Sequence, residues 1–347
     1  MTPVVTRELL AKLPKAELHC HLDGSVRPST LLELAREYGK PMPADDAEAL
    51  ADYMIVRDAR SLEDYLERFE ITLSVMQRPE ALERIAYELV EDAARDGVRY
   101  IEMRYAPVLN VGEGLSLGEA VEEPLRGIAR AEKEFGVRAR VIVCALRHLA
   151  PDISMELARL AVAYKDRGVV GFDLAGGEKG NPATRHAPAF AFARQHDLAV
   201  TVHAGEGDGA DSVRQAVHAC CAHRLGHATH LIEDPALTQY VNDRRIALEI
   251  CLTSNVQTHA APSYEAHPLR EYFDQGLNVV LNTDNRLMSG TTLTEEYWLA
   301  ARHLGFTFEE LSRIALDSFA NSFLPWQERK AMIEEMRTEI AGLGAGT

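Results

Sequence analysis

Short apolar, β-rich runs recur along the chain, each bounded by glycine, proline or polar turns and mostly followed by a stretch of helical periodicity. Eight such runs stand out: 16–21 (AELHCH), 98–105 (VRYIEMRY), 137–146 (VRARVIVCAL), 168–174 (GVVGFDL), 198–203 (LAVTVH), 223–227 (HRLGH), 245–252 (RIALEICL) and 277–283 (LNVVLNT). The stretches between them carry helix-start signals. Pro28 opens a run to Tyr38, and Ser116 with Glu119 makes a capping-box pattern ahead of a run ending at Gly136. Ser154 and Pro182 open two further runs, Asp234 with Pro235 opens another, and the tail from Thr307 to Ile340 reads as two final helices.

Strands rich in Val, Ile and Leu that alternate with helices imply a parallel sheet covered by helices. Eight such units close into a (β/α)8 TIM barrel of the α/β class, spanning residues 1–347 as a single domain. An open doubly wound sheet would carry a GxGxxG turn after its first strand, where this chain has HLDGSVRPS. A helical insertion after the first strand, residues 28–96, holds Tyr65, Phe69, Leu73 and Met76 at helical spacing. It can cap one end of the barrel, with that stripe serving as core or as a substrate wall.

Composition narrows the partners. The 347 residues include 46% hydrophobic and 26% charged positions, an ordinary globular balance. Lys+Arg 37 against Asp+Glu 53 leaves a net charge of −16, which repels nucleic-acid phosphates and anionic membranes and favours small-molecule partners. The first residues lack a signal-peptide core and no run approaches the ~18 apolar residues of a membrane span, so a soluble, cytoplasmic chain is expected. The 5 cysteines (Cys20, Cys144, Cys220, Cys221, Cys251) form no CxxC pair and read as reduced core thiols.

The chemistry lies in where the 13 histidines fall. His19 and His21 end the first run, His203 the fifth and His227 the sixth, while Asp284 follows the eighth. In a parallel barrel these ends share the face that carries active sites. Two apart on a strand, His19 and His21 project to the same side and Cys20 to the other. Adding His203 and Asp284 gives three nitrogens and one carboxylate, a donor set suited to a divalent transition metal such as zinc with a position left for water. Glu206 lies three residues beyond His203 on a glycine-containing loop and is a candidate acid/base. His227 is either a fourth imidazole ligand or an orienting base, and Asp284 has a stake in both metal binding and water activation.

LHCHLDG (18–24), GFDLAGGE (171–178), HAGE (203–206), RLGH (224–227), TSN (253–255) and NTDN (282–285) appear in order and together resemble the motifs of the adenosine deaminase family, within the amidohydrolase superfamily. The resemblance implies hydrolytic deamination of a 6-aminopurine nucleoside, with adenosine and 2′-deoxyadenosine first and aminodeoxyfutalosine or adenine as alternatives. A zinc barrel that binds nucleosides without turning them over is the non-catalytic alternative, against which Glu206, His227 and Asp284 speak. The resemblance further implies one Zn2+ per chain on His19, His21, His203 and Asp284, and Glu206 protonating purine N1. His227 and Asp284 would hold and activate the water, Asp23 would contact the ribose hydroxyls, and the Gly176 backbone would meet N3. The bridging lysine of two-metal relatives has no counterpart in GVVGFDL. No obligate protein partner is implied. Where many relatives have a second aspartate followed by proline, this chain has Asn285-Arg286. An asparagine amide can still donate to purine N7. Arg286 then pairs with a surface carboxylate or favours a substrate carrying an added acidic group.

Overall fold

The computed structural model describes residues 4–57 and 62–345. All eight runs form strands: Lys15–His21 (β1), Val98–Tyr105 (β2), Arg138–Leu146 (β3), Val169–Ala175 (β4), Ala199–Ala204 (β5), Arg224–His227 (β6), Ala247–Ile250 (β7) and Val279–Leu281 (β8). They pair in parallel in chain order. The seam between β8 and β1 is closed by a parallel bridge of Cys20 with Asp284, in which the His21 N–H donates to the Asp284 carbonyl at 2.7 Å and the Asp284 N–H to the His19 carbonyl at 3.0 Å. The expected (β/α)8 barrel is therefore observed.

The last strands are shorter than their apolar runs for local reasons. Leu252 already belongs to the helix Leu252–Gln257. Beyond β8 the Asn282 side chain takes over the pairing, its Oδ1 accepting from the N–H groups of Leu18 (2.7 Å) and His19 (3.1 Å).

Most helix signals hold. Pro28–Tyr38 is a helix, the Ser116–Glu119 capping box opens Leu117–Phe135, Asp234 caps Pro235–Asp243, and Phe308–Ala320 and Trp326–Ala345 end the chain. Two starts are corrected. The helix expected from Ser154 begins at Pro151, because proline fits the first helical position, and Ser154 is instead buried against His186 Nδ1 at 2.7 Å. Pro182 opens a short 3-10 turn, Ala183–His186, ahead of the helix Ala187–Gln195. Within the insertion the stripe is broken between the short helices Leu62–Leu66 and Phe69–Leu73. Tyr65, Phe69 and Leu73 line a cavity at the carboxyl end of the barrel, whereas Met76 is buried in the core. Four cysteines are buried as expected, Cys221 is partly exposed, and no disulfide is present among the described residues. No helix among the described residues is long and apolar enough to cross a membrane.

The barrel interior is charged as well as apolar. Arg104 bonds Asp173 and Glu249, each at 3.0 Å, and Arg224 bonds Glu249 at 2.6 Å and Glu102 at 2.5 Å, all five side chains being buried. Arg286 extends this pattern to the seam and corrects the sequence reading. It pairs with carboxylates, but with the buried Glu17 (2.5 Å) and Asp96 (3.2 Å) rather than at the surface, and it does not line the cavity. Asp96 in turn accepts the first N–H groups of the helix Leu293–Leu304 at 2.7 and 3.2 Å. Arg286 thereby fastens β1, the chain after β8 and that helix together, which leaves it no charge to offer a substrate.

Removing one partner of a buried pair strands the other's charge, at a cost of roughly 3–5 kcal/mol. Arg286→Leu is expected to lower stability by about that much in urea unfolding, and Arg286→Leu with Glu17→Gln to recover part of the loss. No recovery in the double variant would mean that packing, not charge, is what Arg286 contributes.

Candidate active site

Four side chains predicted as ligands converge. One ligand atom from each of His19, His21, His203 and Asp284 lies within 4.8 Å of all the others, and Glu206, His227 and Asp284 form a second, overlapping group by the same measure. All sit at the carboxyl ends of β1, β5, β6 and β8, where the barrel brings together residues up to 265 positions apart in sequence, His19 to Asp284. His227 and Asp284 adopt φ 63°, a left-handed backbone that non-glycine residues rarely take. Both are held by side chains of the Leu252–Gln257 helix: Ser254 Oγ donates to Asp284 Oδ2 at 2.7 Å, and Asn255 Nδ2 lies 2.9 Å from His227 Nδ1.

The donor set fits a metal ion. His19 Nδ1 contacts Glu249 at 2.9 Å and His203 Nδ1 contacts Asp173 at 3.0 Å. A carboxylate at Nδ1 draws the ring proton there and leaves Nε2 bare, the arrangement that orients metal-binding imidazoles. His21 Nε2 lies 3.1 Å from His203 Nε2, Asp284 Oδ1 lies 3.2 and 3.4 Å from the Nε2 atoms of His19 and His21, and the buried His19 Nε2 has no hydrogen-bond partner. Converging lone pairs of this kind call for a cation. Burial holds His21 and His227 well below the usual imidazole range, so both rings are neutral. Burial alone would raise Asp284, but its 3.2 Å contact with the His19 imidazole holds it well below the ordinary carboxylate range.

Glu206 is set by its loop. Gly205 takes φ 72°, and a Cβ there would stand 2.6 Å from Val213 Cγ2, so only glycine makes this turn. The buried Glu178 carboxylate accepts the N–H groups of both Gly205 and Glu206 at 3.0 Å. Glu206 Oε2 is thereby held 3.4 Å from His227 Nε2.

A cavity of about 290 Å3 opens over the cluster. Asp23, Gly176 and Asn285, the three residues expected to read substrate, line it with Leu62, Tyr65, Phe69 and Cys144. Burial pushes Asp23 up to about 7. Asn285 Oδ1 is buried without a hydrogen-bond partner, and its seat depends on Gly24, where a Cβ would fall 1.8 Å from that oxygen.

Sequence reading missed the residues behind this front rank. Asp173, Glu249, Glu178, Ser254 and Asn255 all orient a predicted site residue, and four of them, all but Glu249, lie within motifs already quoted for the family resemblance. The available signal was a carboxylate in the middle of an apolar strand, as in GFDL and ALEI, since such a group is buried only with partners.

A parallel eight-stranded barrel with three imidazoles and an aspartate gathered at its carboxyl face is a metal-dependent amidohydrolase in architecture. The family model described as adenosine deaminase matches residues 14–339. An adenosine deaminase of Mycobacterium avium is 42% identical over 97% of both chains. Two solved structures superpose closely. A zinc-containing amidohydrolase from Burkholderia ambifaria has TM-score 0.89 at 27% identity, covering 99% of this chain and 96% of the other. An N6-methyl-AMP deaminase from Arabidopsis thaliana has TM-score 0.85 at 29% identity, covering 99% and 100%. The chain belongs to the adenosine deaminase family and is a hydrolytic deaminase.

The dependence of Asn285 on Gly24 is testable. Gly24→Ala is expected to displace Asn285 and to raise KM for the purine at least several-fold while the bound-metal content stays unchanged, since one lost neutral hydrogen bond costs about 0.5–1.5 kcal/mol. Unaltered KM would detach Asn285 from substrate recognition.

Proposed function

We propose that this chain hydrolyses adenosine and 2′-deoxyadenosine to inosine and 2′-deoxyinosine with release of ammonia, as a cytoplasmic enzyme of purine salvage carrying one zinc ion per chain. The observation that carries this reading is the meeting of Glu206, His227 and Asp284 beside three imidazoles at the floor of one cavity. His19, His21, His203 and Asp284 hold the zinc. When bound, zinc supplies Lewis acidity and brings the pKa of water from about 15.7 down to about 7. The absence of a lysine from the described β4 segment, where Asp173 instead pairs with Arg104 and His203, supports a single ion.

The chain's own groups do the rest. His227 and Asp284 align the attacking water against C6. Glu206 moves the protons: one hydrogen of the water ends on N1, and the other leaves with the C6 amine as ammonia. Gly176, with φ 89°, turns its backbone at the cavity edge to meet N3, Asp23 takes the ribose hydroxyls, and Asn285 reads N7.

The cavity also favours a neutral nucleoside over a nucleotide. No lysine or arginine is among its described lining residues, while Asp23 and Glu70 are. Arg147, the nearest arginine in sequence to the lining residue His148, spends its guanidinium on the carbonyls of His203 (2.5 Å) and Asn181 (3.0 Å). A phosphate beside these carboxylates loses on the order of 3 kcal/mol, about 10²-fold in kcat/KM. Adenosine is therefore expected to outperform its 5′-monophosphate by at least that factor when loss of the adenosine ultraviolet band is followed, and comparable rates for the two would remove the nucleoside assignment.

Glu206→Gln is expected to keep about one zinc per chain by metal analysis while losing about 10⁴-fold in kcat, the upper range for a general acid–base group because it acts twice. A variant that kept a tenth of the activity at full metal content would take the proton transfers away from Glu206.

A further inference from the structure

Two roles are open to His227, a fourth metal ligand or a hydrogen-bond donor, and the tautomer of its ring decides between them. We propose that His267, acting through Asn255, fixes His227 in the tautomer protonated at Nε2, so that His227 donates a hydrogen bond into the site and is not a metal ligand. Only the kinetic consequence of this assignment rests on the deaminase reading above.

The polarity starts from a group that can only donate. The backbone N–H of Leu269 lies 3.0 Å from His267 Nδ1, so that nitrogen is the acceptor and carries no proton. His267 is buried and neutral, its pKa pushed down to about 3 by burial alone. Its single ring proton is therefore on Nε2, which points at the Asn255 amide at 3.1 Å. Only the amide oxygen can accept it, which turns the amide nitrogen toward His227 Nδ1, 2.9 Å away. An amide N–H can only donate, so His227 Nδ1 is bare and the ring's proton sits on Nε2. The direction of each bond follows from the one before, and neither the Asn255 amide nor either ring can be reversed without setting two donors or two acceptors face to face. The chain ends inside the site, where His227 Nε2 is buried without a hydrogen-bond partner, 3.4 Å from Glu206 Oε2.

An Nε2–H has no lone pair for a metal, and the lone pair on Nδ1 is occupied by Asn255. His227 is thus left to donate to the oxygen that attacks C6, with its ring orientation held from behind. His267 touches neither substrate nor metal ligands and is a positioning residue, one residue removed from His227.

The tautomer can be read directly. In 15N-histidine-labelled, metal-loaded protein, with the His227 signals assigned by comparison with His227→Gln, nuclear magnetic resonance should show Nδ1 as a bare nitrogen and Nε2 with a bonded proton. A proton on Nδ1 would overturn the proposal without any further variant. His267→Met removes the donor, and His267→Gln keeps an N–H able to reach Asn255. The Met variant is expected to show mixed His227 tautomers and a kcat lowered at least tenfold, with KM and metal content nearly unchanged; a wrong histidine tautomer in a serine protease costs about 10⁴. The Gln variant should restore the wild-type tautomer and most of kcat. A Met variant with the wild-type tautomer would also overturn the proposal. If the wild-type spectrum is as expected but adenosine is not deaminated, the proposed function fails while the assignment of His267 stands.

Discussion

Glu249 is the point on which the interior of this barrel turns. Fully buried, it accepts from Arg104, Arg224, Thr201 and His19, and the two arginines hold it well below the usual carboxylate range against the opposing pull of burial. Taking a carboxylate and two guanidinium groups out of water costs several kcal/mol per ion, and that cost is offset only when every donor and acceptor is matched. The lattice therefore has little freedom: Arg104 is fixed by Asp173 and by the Leu18 carbonyl as well, and Asp173 by His203. Its upper edge consists of the Nδ1 atoms of His19 and His203. The same bonds that keep charge tolerable inside the barrel thus set the planes and tautomers of two imidazoles at its mouth.

Much of the mouth was legible because one rule carries it. Strand ends of a parallel barrel share a face, so His19, His21, His203, His227 and Asp284 could be gathered from spacing alone, and the caps at Ser116, Asp234 and Thr307 fixed helices around them. The supporting residues were not, because their significance lies in distances that no local pattern encodes. His19 and Glu249 are 230 residues apart, and Glu206 and its clamp Glu178 are 28 apart across a strand and a helix. Arg286 shows the same limit: reading it at the surface was reasonable for an isolated arginine, and only the closure of β8 on β1 brings Glu17 and Asp96 around it.

Backbone strain at the site has a matching explanation. His227 and Asp284 end their strands with φ 63°, and left-handed backbone costs a non-glycine residue roughly 1–2 kcal/mol. In each case the side chain lands on a partner from the helix Leu252–Gln257, Asn255 or Ser254, and backbone bonds pin the chain there, from the Asp284 N–H to the His19 carbonyl and, one residue after His227, from the Ala228 N–H to the Ala204 carbonyl. The strain is held because the surrounding bonds over-determine it, as expected where geometry matters more than local stability. The Leu252–Gln257 helix has only 6 residues, yet it presents Ser254 and Asn255 to two different strand ends.

These constraints act together on proton transfer. The floor of the cavity is a set of fixed, buried dipoles and charges, and its roof is apolar, with Leu62, Tyr65, Leu66, Phe69 and Leu73 supplied by the insertion. Phe69 stands edge-on to His21 with ring centroids 6.4 Å apart, so the apolar lining reaches the metal-binding cluster itself. A purine that fills this space displaces water from between the two surfaces, and hydrogen bonds made in the resulting low dielectric are worth more than the same bonds in solvent. Glu206 gains most from this arrangement. Clamped by Glu178 through its backbone and set 3.4 Å from His227, its carboxyl is oriented by the fold rather than by a freely rotating loop.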